Sequence, residues 1–142
     1  MRLGQTAKYA MQALAFLIRT HARDEWGQIG DIARDCNIPR KYLEQVLLEL
    51  KSAGLVQSKK GQHGGYKLSR APHEITLGQA ISAVQGELVP LPEWIDDAIF
   101  PADSGLRAVV EQAREQVQRV FDATSIEVLV CRPGGWLGDE MG

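Results

Sequence analysis

Apolar residues recur at steps of three and four over residues 6–22: Ala7, Ala10, Met11, Leu14, Leu17 and Ile18. That spacing predicts a helix with one buried stripe. Ala13, Ala15 and Phe16 make its other faces apolar too. A helix apolar nearly all round is buried on several sides, which in a short chain points to a second subunit. A shorter helix fits 28–36, with Ile29, Ile32 and Ala33 inward and Asn37 at its end. Pro39 suits the first turn of a third helix, where its missing N–H costs nothing. That helix is expected to run to about Ala53 on a stripe of Leu43, Val46, Leu47 and Leu50, with Gly54 stopping it.

The period then changes from 3.6 to two. "LVQSKK" and "GYKLS" read as short strands joined by "GQHGG", where glycines tolerate positive φ. Helix, helix–turn–helix and hairpin in this order predict a winged helix-turn-helix, with the basic hairpin as the wing. The fold class is mainly α with one small β-hairpin.

A further helix opens at "ITLGQAISAVQG", where Thr76 and Gln79 have capping-box spacing. A loop of about twenty residues follows, with three prolines and five acids. A long helix is predicted over 104–123, with Leu106, Val109, Val110, Ala113, Val117, Val120 and Phe121 on one stripe. At ~1.5 Å per residue it is about 30 Å long. The rest of the chain offers little to cover it, so it reads as a self-association helix. "TSIEVLV" predicts a short helix with a second capping box, Thr124 and Glu127. The organisation is therefore a winged helix-turn-helix over 1–86, an acidic, proline-rich loop over 87–103, a dimerisation segment over 104–131 and a mobile tail over 132–142.

Charge sharpens this division. The net charge of −2 hides a split. Residues 1–70 carry 12 Lys and Arg against 6 Asp and Glu, whereas residues 71–142 carry 4 against 12. A basic half suits a polyanion partner, because each neutralised phosphate releases counterions. At 44% hydrophobic and 24% charged residues, the 142-residue chain is globular in composition. Its longest apolar run falls far short of the roughly 20 residues of a membrane span. The start has early positive charge and then apolar residues, as a signal peptide has. Gln12 interrupts that run and no small-residue cleavage site follows. Two cysteines, Cys36 and Cys131, make no C-x-x-C, so a reducing cytoplasm is the expected compartment. No nucleophile elbow, H-E-x-x-H or phosphate loop occurs, so no enzyme activity is expected.

The second helix of a helix-turn-helix reads the major groove from its N-terminal end. Here that end carries Arg40, Lys41, Tyr42 and Gln45. Arg40 and Lys41 can donate to guanine or phosphate, and Gln45 can pair with adenine or phosphate. Tyr42 either contacts phosphate through its hydroxyl or packs on the core. Glu44 can accept from a cytosine amino group or simply repel wrong sites. At the wing, Lys59, Lys60, Gln62 and His63 suit a narrow minor groove. Lys8, early in the first helix, can reach backbone phosphate.

Three stretches carry a family resemblance: "YAMQALAFL", "IARDCNIPRKYLEQVLLELKSAGLVQSKKGQHGGYKLSR" and "ITLGQAISAVQG". The second is specific, with I-P-x-x-Y-L-E-Q, L-x-x-A-G-L-V and G-x-x-G-G-Y-x-L in sequence. On these residues the chain resembles the Rrf-two family of bacterial winged-helix regulators, the IscR, NsrR and CymR type. The resemblance implies a homodimer joined through the long helix, repressing from a pseudo-palindromic operator in double-stranded DNA. It places Arg40, Lys41, Tyr42 and Gln45 on the recognition helix and Lys60 at a wing position often held by arginine. Cluster-binding members carry three cysteines before the dimer helix. Residues 86–105 contain no cysteine and no histidine. Glu93, Asp96, Asp97 and Asp103 suit a hard cation or simply a solvated loop. No iron–sulfur cluster, metal or other cofactor is therefore expected.

Three signals stay open. Thiol redox at Cys36 would disturb the adjoining recognition helix, with Arg34 and Arg40 near enough in sequence to favour a thiolate. Cys36 equally fits a buried small hydrophobe, and Cys131 is a second candidate thiol. A small effector can use Trp94 and Phe100 as pocket walls, or these rings close the core beneath the loop. A protein partner is the third. A different class of function, a protein-interaction adaptor on a winged fold, would need no basic half.

Overall fold

A computed structural model describes residues 1–130. Cys131 and the tail 132–142 lie outside the described residues. Five α-helices and one antiparallel hairpin follow in the predicted order: α1 (Gln5–Ala22), α2 (Ile29–Cys36), α3 (Arg40–Ser52), β1 (Val56–Lys59), β2 (Gly65–Leu68), α4 (Leu77–Gln85) and α5 (Gly105–Asp122). Short 3-10 turns occupy Pro72–Glu74 and Ile126–Val130. The fold is that of a winged helix-turn-helix with a long C-terminal helix.

Local chemistry sets the boundaries. Asn37 ends α2 in the left-handed conformation, with φ 54°, which asparagine tolerates better than most residues. Pro39 stands just before α3 and its carbonyl accepts from the Tyr42 and Leu43 amides. At the other end, Gly54 has φ 78°. The Gly54 amide donates to the Lys51 carbonyl and the Leu55 amide to that of Leu50. This Schellman closure buries Leu50 and Leu55 together. Thr76 and Gln79 form the predicted capping box on α4, each bond 3.0 Å.

The core gathers Leu14 and Leu17 of α1, Ile32 of α2 and Leu43, Leu47 and Leu50 of α3. Leu55 just before β1, Ile75 just before α4 and Ala80 of α4 complete it. The apolar faces of α1 are met by α2, α3, α4, β2 and the 126–130 turn of the same chain. The many-sided burial of α1 therefore needs no second subunit, contrary to the expectation drawn from its pattern.

The chain also closes on itself late. After α5 it returns to α4: the Leu77 amide donates to the Thr124 carbonyl and the Ile126 amide to that of Ile75. Ile126 is fully buried in the winged-helix core. The second capping box does not form as predicted. The Thr124 hydroxyl donates back to the Val120 carbonyl at 2.7 Å. Ser125 takes the capping position instead, accepting from the Glu127 amide and donating to the Glu127 carboxylate.

The loop between α4 and α5 has no regular element but is anchored. Leu88 and Ile95 are buried. Asp96 accepts from the amides of Ala98 and Ile99. Arg114 of α5 reaches the Val89 carbonyl, Glu87 and Glu111. Arg107 bonds Asp97 and the Phe100 carbonyl.

Candidate nucleic-acid interface

Burial of Leu43, Val46, Leu47 and Leu50 fixes the roll of α3 about its axis. Over its first nine residues those left outward are Arg40, Lys41, Tyr42, Glu44, Gln45 and Leu48, all exposed. They are held by light local contacts. Arg40 pairs with Glu44 at 3.5 Å, and Gln45 donates to Glu49 at 2.9 Å. An exposed pair of this kind stabilises by under about 1 kcal/mol, so it opens easily to another acceptor. The Tyr42 ring is half exposed and stacks on Tyr9, with centroids 6.2 Å apart. Lys41 lies 4.9 Å over the same ring. Leu48 is an outward apolar residue that the helical stripe did not single out.

The wing tip carries Lys59, Lys60, Gln62 and His63, all exposed. The segment before α2 holds it, a feature that the periodicity of the chain did not reveal. Gly27 and Tyr66 exchange backbone hydrogen bonds of 2.8 Å, adding a third edge to the hairpin. The Gln28 side chain donates to the carbonyls of Gln62 and Gly64. Lys59 and Lys67 lie 5.8 and 5.1 Å over the Trp26 ring. Lys67 also pairs with Asp24 at 2.7 Å. That hydrogen bond, with the lysine's charge, holds the Asp24 carboxyl below the usual carboxylate range. A lone tryptophan before a glycine in the basic half was the available signal.

Lys8 is exposed on α1 and shares a cleft with Cys36, Asn37 and Pro39. It thus stands beside the start of α3. The half-buried Cys36 thiol donates to the Gln12 carbonyl at 3.5 Å. Burial first, then the charge of Asp35, pushes the thiol pKa up, against an opposing effect of Arg19. Arg34 and Arg40 do not activate it as their nearness in sequence had promised. Arg34 is turned to Asp31 and Asp35, and Arg40 to Glu44.

Trp94 and Phe100 do come together, edge to face at 5.8 Å. Trp94 is exposed, so it does not close the core. On α5, no residue is buried. Leu106, Val109, Ala113 and Val120 are exposed, and Val110, Val117 and Phe121 partly so.

A match to the Rrf2 family, described as "Iron-dependent Transcriptional regulator", spans residues 3–132. The chain belongs to the Rrf2 family. Among Rrf2 proteins, CymR of Bacillus subtilis is 30% identical over 95% of this chain and 94% of its own. Its structure, described as that of the global cysteine regulator, superposes with a TM-score of 0.73 at 29% identity. It covers 89% of this chain and 94% of that one. IscR of Aliivibrio salmonicida is 39% identical over 59% of this chain, which spans about half of that protein, 49%. The IscR structure from T. potens superposes with a TM-score of 0.69 at 25% identity, over 89% of this chain and 84% of that one. This chain is accordingly a winged-helix transcriptional regulator of the CymR and IscR type.

The family description names iron, but the described residues do not fit it. Among the described residues no three His, Cys, Asp or Glu gather as metal ligands. Two of the loop carboxylates are otherwise engaged, Asp96 on backbone amides and Asp97 on Arg107. No helix among the described residues is long and apolar enough to cross a membrane.

Proposed function

We propose that this Rrf2 protein is a cytoplasmic, homodimeric, sequence-specific DNA-binding repressor. The α3 start enters the major groove, where Arg40, Lys41 and Gln45 contact bases or phosphates and Tyr42 lies against the backbone. Lys59, Lys60, Gln62 and His63 of the wing enter the adjoining minor groove, and Lys8 grips phosphate. The α5 stripe from Leu106 to Phe121 joins two copies, so the operator is an inverted repeat. Its half-sites follow the two-fold axis of the dimer.

The observation that carries this reading is the outward set at the α3 start together with a cationic wing held from Trp26 and Gln28. Both lie in the basic half. The large uncovered apolar stripe of α5 supports a dimer. An adaptor would not need the basic half. Selection of bound duplexes from a random pool tests the proposal. An inverted repeat bound by two protomers is the expected outcome; recovery of no motif above background contradicts it.

A further inference from the structure

A half-open cleft of about 470 Å³ lies in the crease between α1, α3 and α4. The rings of Tyr9 and Tyr42, the methyls of Val46 and Val84, and the polar groups of Gln45 and Glu49 line it. Its volume is in the range that holds small organic ligands. One Glu49 oxygen accepts from Gln45 at 2.9 Å. The other is buried and has no hydrogen-bond partner among the described residues. A carboxylate oxygen withdrawn from water without a donor is unfavourable, and a ligand N–H that draws the side chain into the cleft recovers that loss. No lysine or arginine is among the lining residues; Lys41 lies over the Tyr42 ring beside them. Tyrosine faces attract cations. Tyr9 is itself fixed, its hydroxyl accepting from Gln5 at 2.8 Å.

We propose that this cleft is an effector site for a small primary amine. Glu49 takes the ammonium group, and the stacked pair of Tyr9 and Tyr42 borders an apolar or aromatic body. Tyr42 and Gln45 also belong to the DNA-reading set, so amine and operator draw on the same side chains. The amine therefore weakens operator binding. This second part rests on the DNA-binding reading above; the site itself does not.

Calorimetry of the full chain with phenethylamine, 2-phenylethanol and phenylacetate tests the site without DNA. Phenethylamine is expected to bind, and the neutral and anionic analogues to bind weaker by about tenfold or more. Glu49→Gln retains an acceptor for Gln45 and is expected to lose about tenfold for phenethylamine. Circular dichroism checks that this variant is folded. Val84→Trp fills the cleft with Glu49 intact and is expected to abolish binding. No phenethylamine binding at millimolar concentration overturns the site, as does equal binding of the neutral analogue or unchanged binding by Glu49→Gln. A selected duplex is then titrated with and without phenethylamine. A lower DNA affinity supports the coupling, and an unchanged affinity overturns it. A chain that binds no duplex at all refutes the DNA reading, while the calorimetry still decides the site.

Discussion

Gly65 faces the carbonyl of Gly27 so closely that a Cβ at position 65 would sit 2.4 Å from that oxygen. The residue also has φ 131°, a conformation that suits glycine alone. Two constraints, one steric and one conformational, fall on the residue where the wing turns back. Gly65→Ala is expected to destabilise the fold by about 1–3 kcal/mol. Denaturant unfolding measures it, and an unchanged midpoint would show that the strand edge moves freely.

The wing lysines act through charge. Changing Lys59 and Lys60 to alanine is expected to weaken binding to all duplexes alike. The salt slope should become shallower by about 1 for each phosphate left without its lysine. Fluorescence anisotropy over a salt series reads both quantities. A loss confined to one sequence would assign the wing to base reading instead.

The bracing of the wing separates from its charge. Trp26 and Gln28 hold Lys59 and the Gln62 carbonyl. Trp26→Ala is expected to lower DNA affinity while leaving the salt slope unchanged, because no lysine is removed. A slope reduced as much as in the lysine variants would mean that the wing has collapsed rather than loosened.

Much of this arrangement was legible in the residues themselves. The helical stripes, Asn37, Gly54 and the Thr76–Gln79 box are local signals, and each produced the element or boundary it predicted. Contacts across long sequence distance left no such trace. A single bridge at Gly27 has no period to detect. The return of Ile126 to the core depends on where α5 points, which no local pattern encodes. Thr124 and Ser125 compete for one cap, and only the backbone path after α5 selects Ser125. The anchoring of the loop by Arg107 and Arg114 is likewise tertiary. The positions of the candidate reading residues on α3 followed from its stripe, whereas their partners, Tyr9, Glu44 and Glu49, did not.

Dimerisation has its own test. Val109 and Val120 are 64% and 63% exposed on α5. Val109→Asp with Val120→Asp is expected to convert a dimer to a monomer while the protomer stays folded, since neither side chain is in the core. Sedimentation velocity and circular dichroism distinguish these outcomes. A double variant that remains dimeric would move the interface elsewhere.

The pH dependence of the Lys67–Asp24 pair follows from the lowered Asp24 pKa. A carboxyl with a lower folded pKa stabilises above its unfolded pKa, about 3.9, and loses that contribution as pH falls through the folded value. Asp24→Asn keeps the side-chain shape at φ 53°. The parent is expected to be slightly more stable than Asp24→Asn at neutral pH, with the difference vanishing in acid. A difference that grows on acidification would reverse the assigned sign.

The central claim is that the basic half grips a DNA duplex. The most direct measurement is the affinity for a selected duplex as a function of salt concentration. The logarithm of affinity is expected to fall linearly with the logarithm of salt, with a slope of about −0.9 per phosphate neutralised. Affinity indifferent to salt, or no binding at low salt, would contradict the account.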